Sequence, residues 1–297
     1  MPQLTVPVEA TAPASHDRIL AAIAKVRDLP AAVPIVQKAL AQLDKPDFVV
    51  AELKNTLMSD QALAARILRL ANSAYFGFRS EVQTVSQAVV LLGQKRISTL
   101  LRRILTDKIW LDLSRNQAGA APLRKVSLAA AAASCCLSQL LLREDAEEML
   151  LAGLLHNIGR LFLLSQFPAE YDRVPPQASS AGRAEAEAGV FGMPASRAGG
   201  LLLEKWNFPA LYPAAVEHHE NPLSKDCPSE RAPAIALVHV GFRLAEAYAA
   251  GASCGEAVLC VSPEVCQTFQ YEPDLLGEVY GSLPQRMSIE QLQAGRT

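Results

Sequence analysis

Aromatic residues are scarce, at 6% of 297 positions, and neither charge is in excess: 28 basic side chains face 30 acidic ones, a formal net charge of -2. A balance so near neutrality excludes a globally basic nucleic-acid binder. No run reaches the roughly 18 apolar residues that a membrane-spanning helix needs. The long uncharged run Ser127 to Leu142 carries Ser134, Ser138 and Gln139 and is expected as a buried helix. No basic residue precedes Arg18 and no apolar stretch opens the chain, so no signal peptide is expected. Neither phosphate-cradling motif, G-x-x-x-x-G-K-[ST] or G-x-G-x-x-G, occurs. The six cysteines (Cys135, Cys136, Cys227, Cys254, Cys260 and Cys266) form no C-x-x-C pair. They are expected as free thiols in a reducing cytoplasm, without a zinc site.

What is abundant is Ala and Leu, and half of the chain is apolar. That suffices for one large core or two smaller ones. The Val, Ile and Thr alternation of sheet is rare, so the fold class is all-α. Residues 1–15 mix Pro, Ala and Thr without helical period and are expected as a mobile tail. Asp47 is placed to cap a helix carrying Val50, Leu53 and Leu57, and Ser59 or Asp60 to cap the next. Thr84 starts a helix that Gly93 stops. A long helix follows with Ile97, Leu101, Ile104 and Lys108 in line, then a loop over 114–122 and a nearly all-apolar helix from about Leu123. A second loop is expected over 168–183. The expected units are the tail 1–15, an N-terminal helical subdomain 16–113, a second helical subdomain 114–250 and small accessory helices over 251–297. No repeat or heptad array occurs.

Charge is unevenly placed. Between Lys95 and Lys125 eight basic residues stand against Asp107 and Asp112, a local surplus of six. One reading is a solvated helix face; the other is a docking surface for an acidic or phosphate-bearing partner, with Lys95, Arg102 and Arg103 as candidate contacts. No aromatic ladder interleaves them, so nucleic acid is not an expected partner.

The chemistry-bearing stretch is Leu150-Leu151-Ala152-Gly153-Leu154-Leu155-His156-Asn157-Ile158-Gly159-Arg160. A helix of Leu and Ala presents a His-Asn pair and then a Gly turn. It resembles the His-Asp metal motif of the HD phosphohydrolase superfamily. A broader resemblance runs from about 20 to 250. It is carried by Leu29-Pro30, Leu57-Met58-Ser59-Asp60-Gln61-Ala62-Leu63, Arg66-Ile67-Leu68-Arg69-Leu70-Ala71-Asn72-Ser73-Ala74-Tyr75-Phe76-Gly77, Ser86-Gln87-Ala88-Val89 and Leu91-Leu92-Gly93. Leu202-Leu203-Glu204-Lys205-Trp206-Asn207-Phe208-Pro209, with His218-His219 beyond it, continues the series. Together these resemble the HDOD domain, an HD-related output domain of bacterial signalling proteins. The resemblance implies an N-terminal helical subdomain packed on an HD-like one, and a role in signal transduction.

In active HD enzymes imidazoles and carboxylates hold a divalent metal that activates water against a phosphate ester. Set against that pattern, Val126 stands where the first His belongs and Asn157 replaces the acid of the pair. Phe242 takes the place of the last Asp, and Ala195 that of a further His. Only His156 survives, and a stable site needs three or more ligands. No catalytic residue, metal or cofactor is therefore expected, and His156 and Asn157 read as a degenerate remnant that pins one helix end on another. The segment His218-His219-Glu220 resembles the second-metal segment of the related HD-GYP proteins and is a possible second-site remnant. The structural alternative is a helix C-terminus with favourable imidazole contacts. Ser127, Ser134, Ser138 and Cys135 lack an activating neighbour in sequence. Trp206 is expected in the core, and Tyr75, Phe76 and Phe78 as core anchors or an exposed recognition knob.

The expected function is a non-catalytic, cytoplasmic regulatory module, which binds a small ligand or another signalling protein such as a response regulator, a sensor kinase or a cyclic-dinucleotide enzyme. The competing expectation is a metal-dependent phosphohydrolase acting on a nucleotide or cyclic dinucleotide.

Overall fold

The computed structural model describes residues 12–25, 33–72, 81–114, 119–141, 144–175 and 180–294. These residues form sixteen helices and no strand, as expected for an all-α chain. The first group is α1 (Ala12–Lys25), α2 (Val33–Leu43), α3 (Val50–Met58), α4 (Gln61–Ala71) and α5 (Val85–Leu113). The second is α6 (Ala120–Leu141), α7 (Ala146–Leu155), α8 (Ile158–Gln166), α9 (Pro168–Tyr171), α10 (Ser180–Phe191), α11 (Ala195–Lys205), α12 (Leu211–His218) and α13 (Ala232–Ala249). The chain closes with α14 (Cys254–Leu259), α15 (Pro263–Phe269) and α16 (Pro273–Ala294).

Local chemistry sets several of these ends. Asp60 Oδ1 accepts from Leu63 N at 2.9 Å, which caps α4. Thr84 and Gln87 form a reciprocal capping box at the start of α5. Gly93 then takes φ 74°, a left-handed conformation open to glycine, so α5 is two helices joined across a kink. Asp47 does not cap α3: Val49 is the N-cap and makes no side-chain bond. Helix begins earlier than the sequence suggests, at Ala12 and at Ala120, while residues 1–11 lie outside the described residues. The stretch expected as one loop over 168–183 contains α9 and the start of α10, and α16 is long where small helices were expected.

Helices α2 to α5 pack on one another around Val36, Leu53, Ile67, Ile97, Leu101 and Ile104. In the second group α6 is central, with α7, α13 and α16 against it. Its buried run Ala129 to Ala133 lets those neighbours approach closely. By length and hydropathy α6 would also suffice to cross a membrane, yet 67% of its apolar 18-residue window is buried inside the protein. Helix α5 touches α7 and α8 and so joins the two groups. Helix α1, expected with the first subdomain, packs instead on α10 and α11. Lys205 Nζ donates to the carbonyls of Ile23 and Ala24 there, placing a cation at the carboxyl end of α1.

The helices that carry His156 and Asn157 are fixed by a close backbone approach. A Cβ on Gly159 would lie 1.9 Å from Ala195 O and 2.5 Å from Gly199 N. Only glycine allows α8 to lie this near α11.

Candidate functional site

His156 ends α7 and Asn157 begins α8, so the pair sits on the turn between two buried helices, exposed by 1% and 3%. The Nδ1–H of His156 donates to Gly153 O at 2.6 Å. His219 Nδ1–H donates to Val216 O at 2.8 Å, and His239 Nδ1–H to His219 O at 2.7 Å. Each ring therefore presents an Nε2 lone pair, and none of the three has a hydrogen-bond partner. The His156 and His219 rings meet edge-on at 5.2 Å, and Phe242 packs on them at 5.2 and 4.9 Å. Burial lowers all three imidazoles: His156 and His239 to about 4, and His219 well below its ordinary value, with the neighbouring His156 adding to the effect. These rings are neutral at pH 7.

Beside them lies a buried cation. Arg160 Nε donates to Glu187 Oε1 at 2.8 Å, Nη1 to Asn157 Oδ1 at 3.0 Å and Nη2 to Glu220 Oε1 at 3.3 Å. Glu187 is fully buried and also accepts from Tyr171 OH and Ala195 N, both at 3.0 Å. The flanking carboxylates hold the Arg160 guanidinium firmly protonated against the cost of burial. Burial raises the Glu220 carboxyl, and Arg160 pulls it back down.

The arrangement answers whether a divalent ion fits. Two imidazole rings meet, but the nearby carboxylates and the Asn157 carbonyl already bind a guanidinium, and a phenyl ring fills the place expected for the last acid. No group of three His, Cys, Asp or Glu able to hold a metal occurs among the described residues. A metal there would also have to sit beside the Arg160 charge. The donor set does not fit a divalent ion. Val126 faces a cavity of about 550 Å³ that Arg160, Tyr171, Arg183 and Glu246 also line.

The segment 218–220 divides. His219 and Glu220 join this centre, whereas His218 is half-buried and makes no hydrogen bond or ring contact with it. Sequence reasoning missed two participants. Arg160 was visible as a lone charge in the apolar run Ile158 to Leu164. Glu187 gave no comparable signal, because its partner is 27 residues away.

Several residues of the basic segment are paired with acids. Lys95 Nζ lies 3.1 Å from Asp145 and 3.6 Å from Glu148, and Arg96 Nε 3.6 Å from Glu147. Arg66 and Arg124 both bind Asp107, the latter at 2.8 Å. Arg103 is half-buried. Arg102 corrects the expectation of an exposed face that includes it: it is 8% exposed and donates to Ser98 Oγ. Two of the eight basic residues, Lys95 and Arg96, thus pair with the acidic start of α7. Arg115, like Tyr75, Phe76 and Phe78, lies outside the described residues.

An all-helical fold with the buried His156-Asn157 turn at its centre is of the HD-like class. The HDOD domain model matches residues 29–222, and the chain belongs to the HDOD family. An HDOD domain protein of unknown function from Geobacter sulfurreducens has the same fold, with TM-score 0.67 and 20% identity over 97% of this chain and 99% of that one. A Marinobacter aquaeolei VT8 protein, named provisionally for signal transduction, aligns with TM-score 0.64 and 22% identity over 98% of this chain and 67% of that one. An uncharacterized protein of Treponema pallidum (strain Nichols) is 25% identical over 230 residues, 72% of this chain. The aligned part is 40% of that relative's length.

Proposed function

We propose that this chain is a non-catalytic regulatory module of the cytoplasm, which takes up a signal and passes a conformational state to another signalling protein. The observation that carries the reading is the Arg160 guanidinium, held by Glu187, Glu220 and Asn157 beside His156. A fixed side-chain cation stands among the carboxylates and repels a divalent ion. Hydrolysis of a phosphate ester needs an activated water, and three neutral imidazoles without a free carboxylate are a poor means of making one. Cys136, Cys227, Cys254, Cys260 and Cys266 are free thiols, as suits a reducing compartment.

The test is turnover of bis(p-nitrophenyl) phosphate with added manganese, together with the metal content of protein purified without an affinity tag. The expected result is no turnover above buffer and substoichiometric metal. Turnover that disappears in His156→Ala would establish the alternative, a metal-dependent phosphohydrolase.

A further inference from the structure

A second cavity, of about 470 Å³, lies where α2, α5, α7 and α12 meet. Arg102 is its distinctive feature. This guanidinium is 8% exposed, yet its one protein acceptor among the described residues is the Ser98 hydroxyl, and no carboxylate there lies within ion-pair distance. A buried cation ordinarily has an anion against it. Here Arg102 lines the cavity instead, with the Ser98 hydroxyl beside it. Burial lowers the Arg102 pKa, and Tyr212, Asp44 and Glu148 offset this only in part.

The surroundings favour an oxyanion. The kink at Gly93 gives the second part of α5 its own amino terminus, and Gln94 and Lys95 of that first turn line the cavity. Free N–H groups and the positive end of a helix attract phosphate. Lys95, Ser98, Thr99 and Arg102 follow at helical spacing and share that wall. Opposite them Leu43, Pro209, Leu211 and Tyr212 give an apolar surface. Asp44 and Glu148 also face the cavity, and Lys95 partly neutralises Glu148 at 3.6 Å. A bare phosphate would leave most of the volume empty, whereas small-molecule sites span roughly 300–1,000 Å³.

We propose that this cavity binds a small organic phosphate, its phosphate on Arg102 and the amino terminus after Gly93, its organic part on the Leu43–Tyr212 side. The site deepens the regulatory reading and rests on it: both helix groups contribute walls, so occupancy biases how they sit on each other. It is separate from the His156 centre.

Calorimetric titration with phenyl phosphate tests it, with phenol as the uncharged probe. The wild-type protein should bind phenyl phosphate saturably at one site and not bind phenol. Arg102→Met should weaken binding about tenfold to a hundredfold. Its unfolding midpoint should be unchanged or higher, because a buried charge without an anion is removed. Lys95→Gln alters a side chain 65% exposed, so it keeps the fold; it should weaken binding severalfold. Absence of saturable binding up to about 10 mM, or equal affinity in all three proteins, overturns the proposal. Phenol release in the same samples reports separately on the absence of catalysis, so the two readings fail by different signals.

Discussion

Replacing Arg160 by Met would remove one cation and leave Glu187 and Glu220 facing each other in the interior. Breaking a buried ion pair on one side costs about 3–5 kcal/mol. Urea unfolding of Arg160→Met should show a loss of that size at pH 7, with part recovered near pH 5 as the carboxyls take up protons. The histidines set a second dependence on pH. His156 and His239 have folded pKa values near 4, below the unfolded value of 6.5. Below that value the unfolded chain binds more protons, so stability is full above about pH 6.5 and falls towards pH 4. A shift of this size corresponds to about 3 kcal/mol for His156. Glu147 works the other way: burial raises it to about 7, so its contribution grows less favourable as pH rises from its unfolded value of 4.5. Unfolding free energy measured between pH 4 and 7 should therefore be flatter in His156→Gln and steeper in Glu147→Gln than in the wild type. The His-Asn turn was legible from the residues alone, as a polar pair in an apolar run. The charge that completes it was not, because a buried carboxylate such as Glu187 exists only by virtue of a cation brought from elsewhere in the fold.

At the scale of helices, the approach of α8 to α11 is the most demanding contact. Gly159→Ala would drive a methyl group into Ala195 O, with no flexible side chain to yield. The expected result is a loss of about 3 kcal/mol or more, or failure to fold, seen as a lowered thermal midpoint. Gly189, exposed on α10 with nothing within 4 Å of its added Cβ, is the control. Gly189→Ala should stabilise by about 0.5–1 kcal/mol. The caps at Asp60 and Thr84 and the break at Gly93 were readable because each is settled within four residues. Arg102 was not. Helical spacing places it with Lys95 and Ser98, but whether that face meets water depends on α12, which arrives more than a hundred residues later.

For the molecule as a whole, the all-helical class and the two-part plan followed from Ala and Leu content, helical period and family motifs. The association of α1 with α10 and α11 did not, since no local pattern records which distant surface an amphipathic helix covers. The same holds for α16, which packs on α6 with Leu276, Val279, Leu283 and Met287 buried. Ending the chain after residue 272 should expose one side of α6. Binding of a hydrophobic dye and loss by sedimentation should both increase, while the full chain shows neither.

A positive charge fixed to the backbone by its own side chain cannot be chelated, exchanged or washed out. The interior around Arg160 is electrically complete once synthesis ends. On the regulatory reading proposed here its shape should not depend on iron or manganese supply, and a chelator that would empty a metal-holding protein should leave this chain folded.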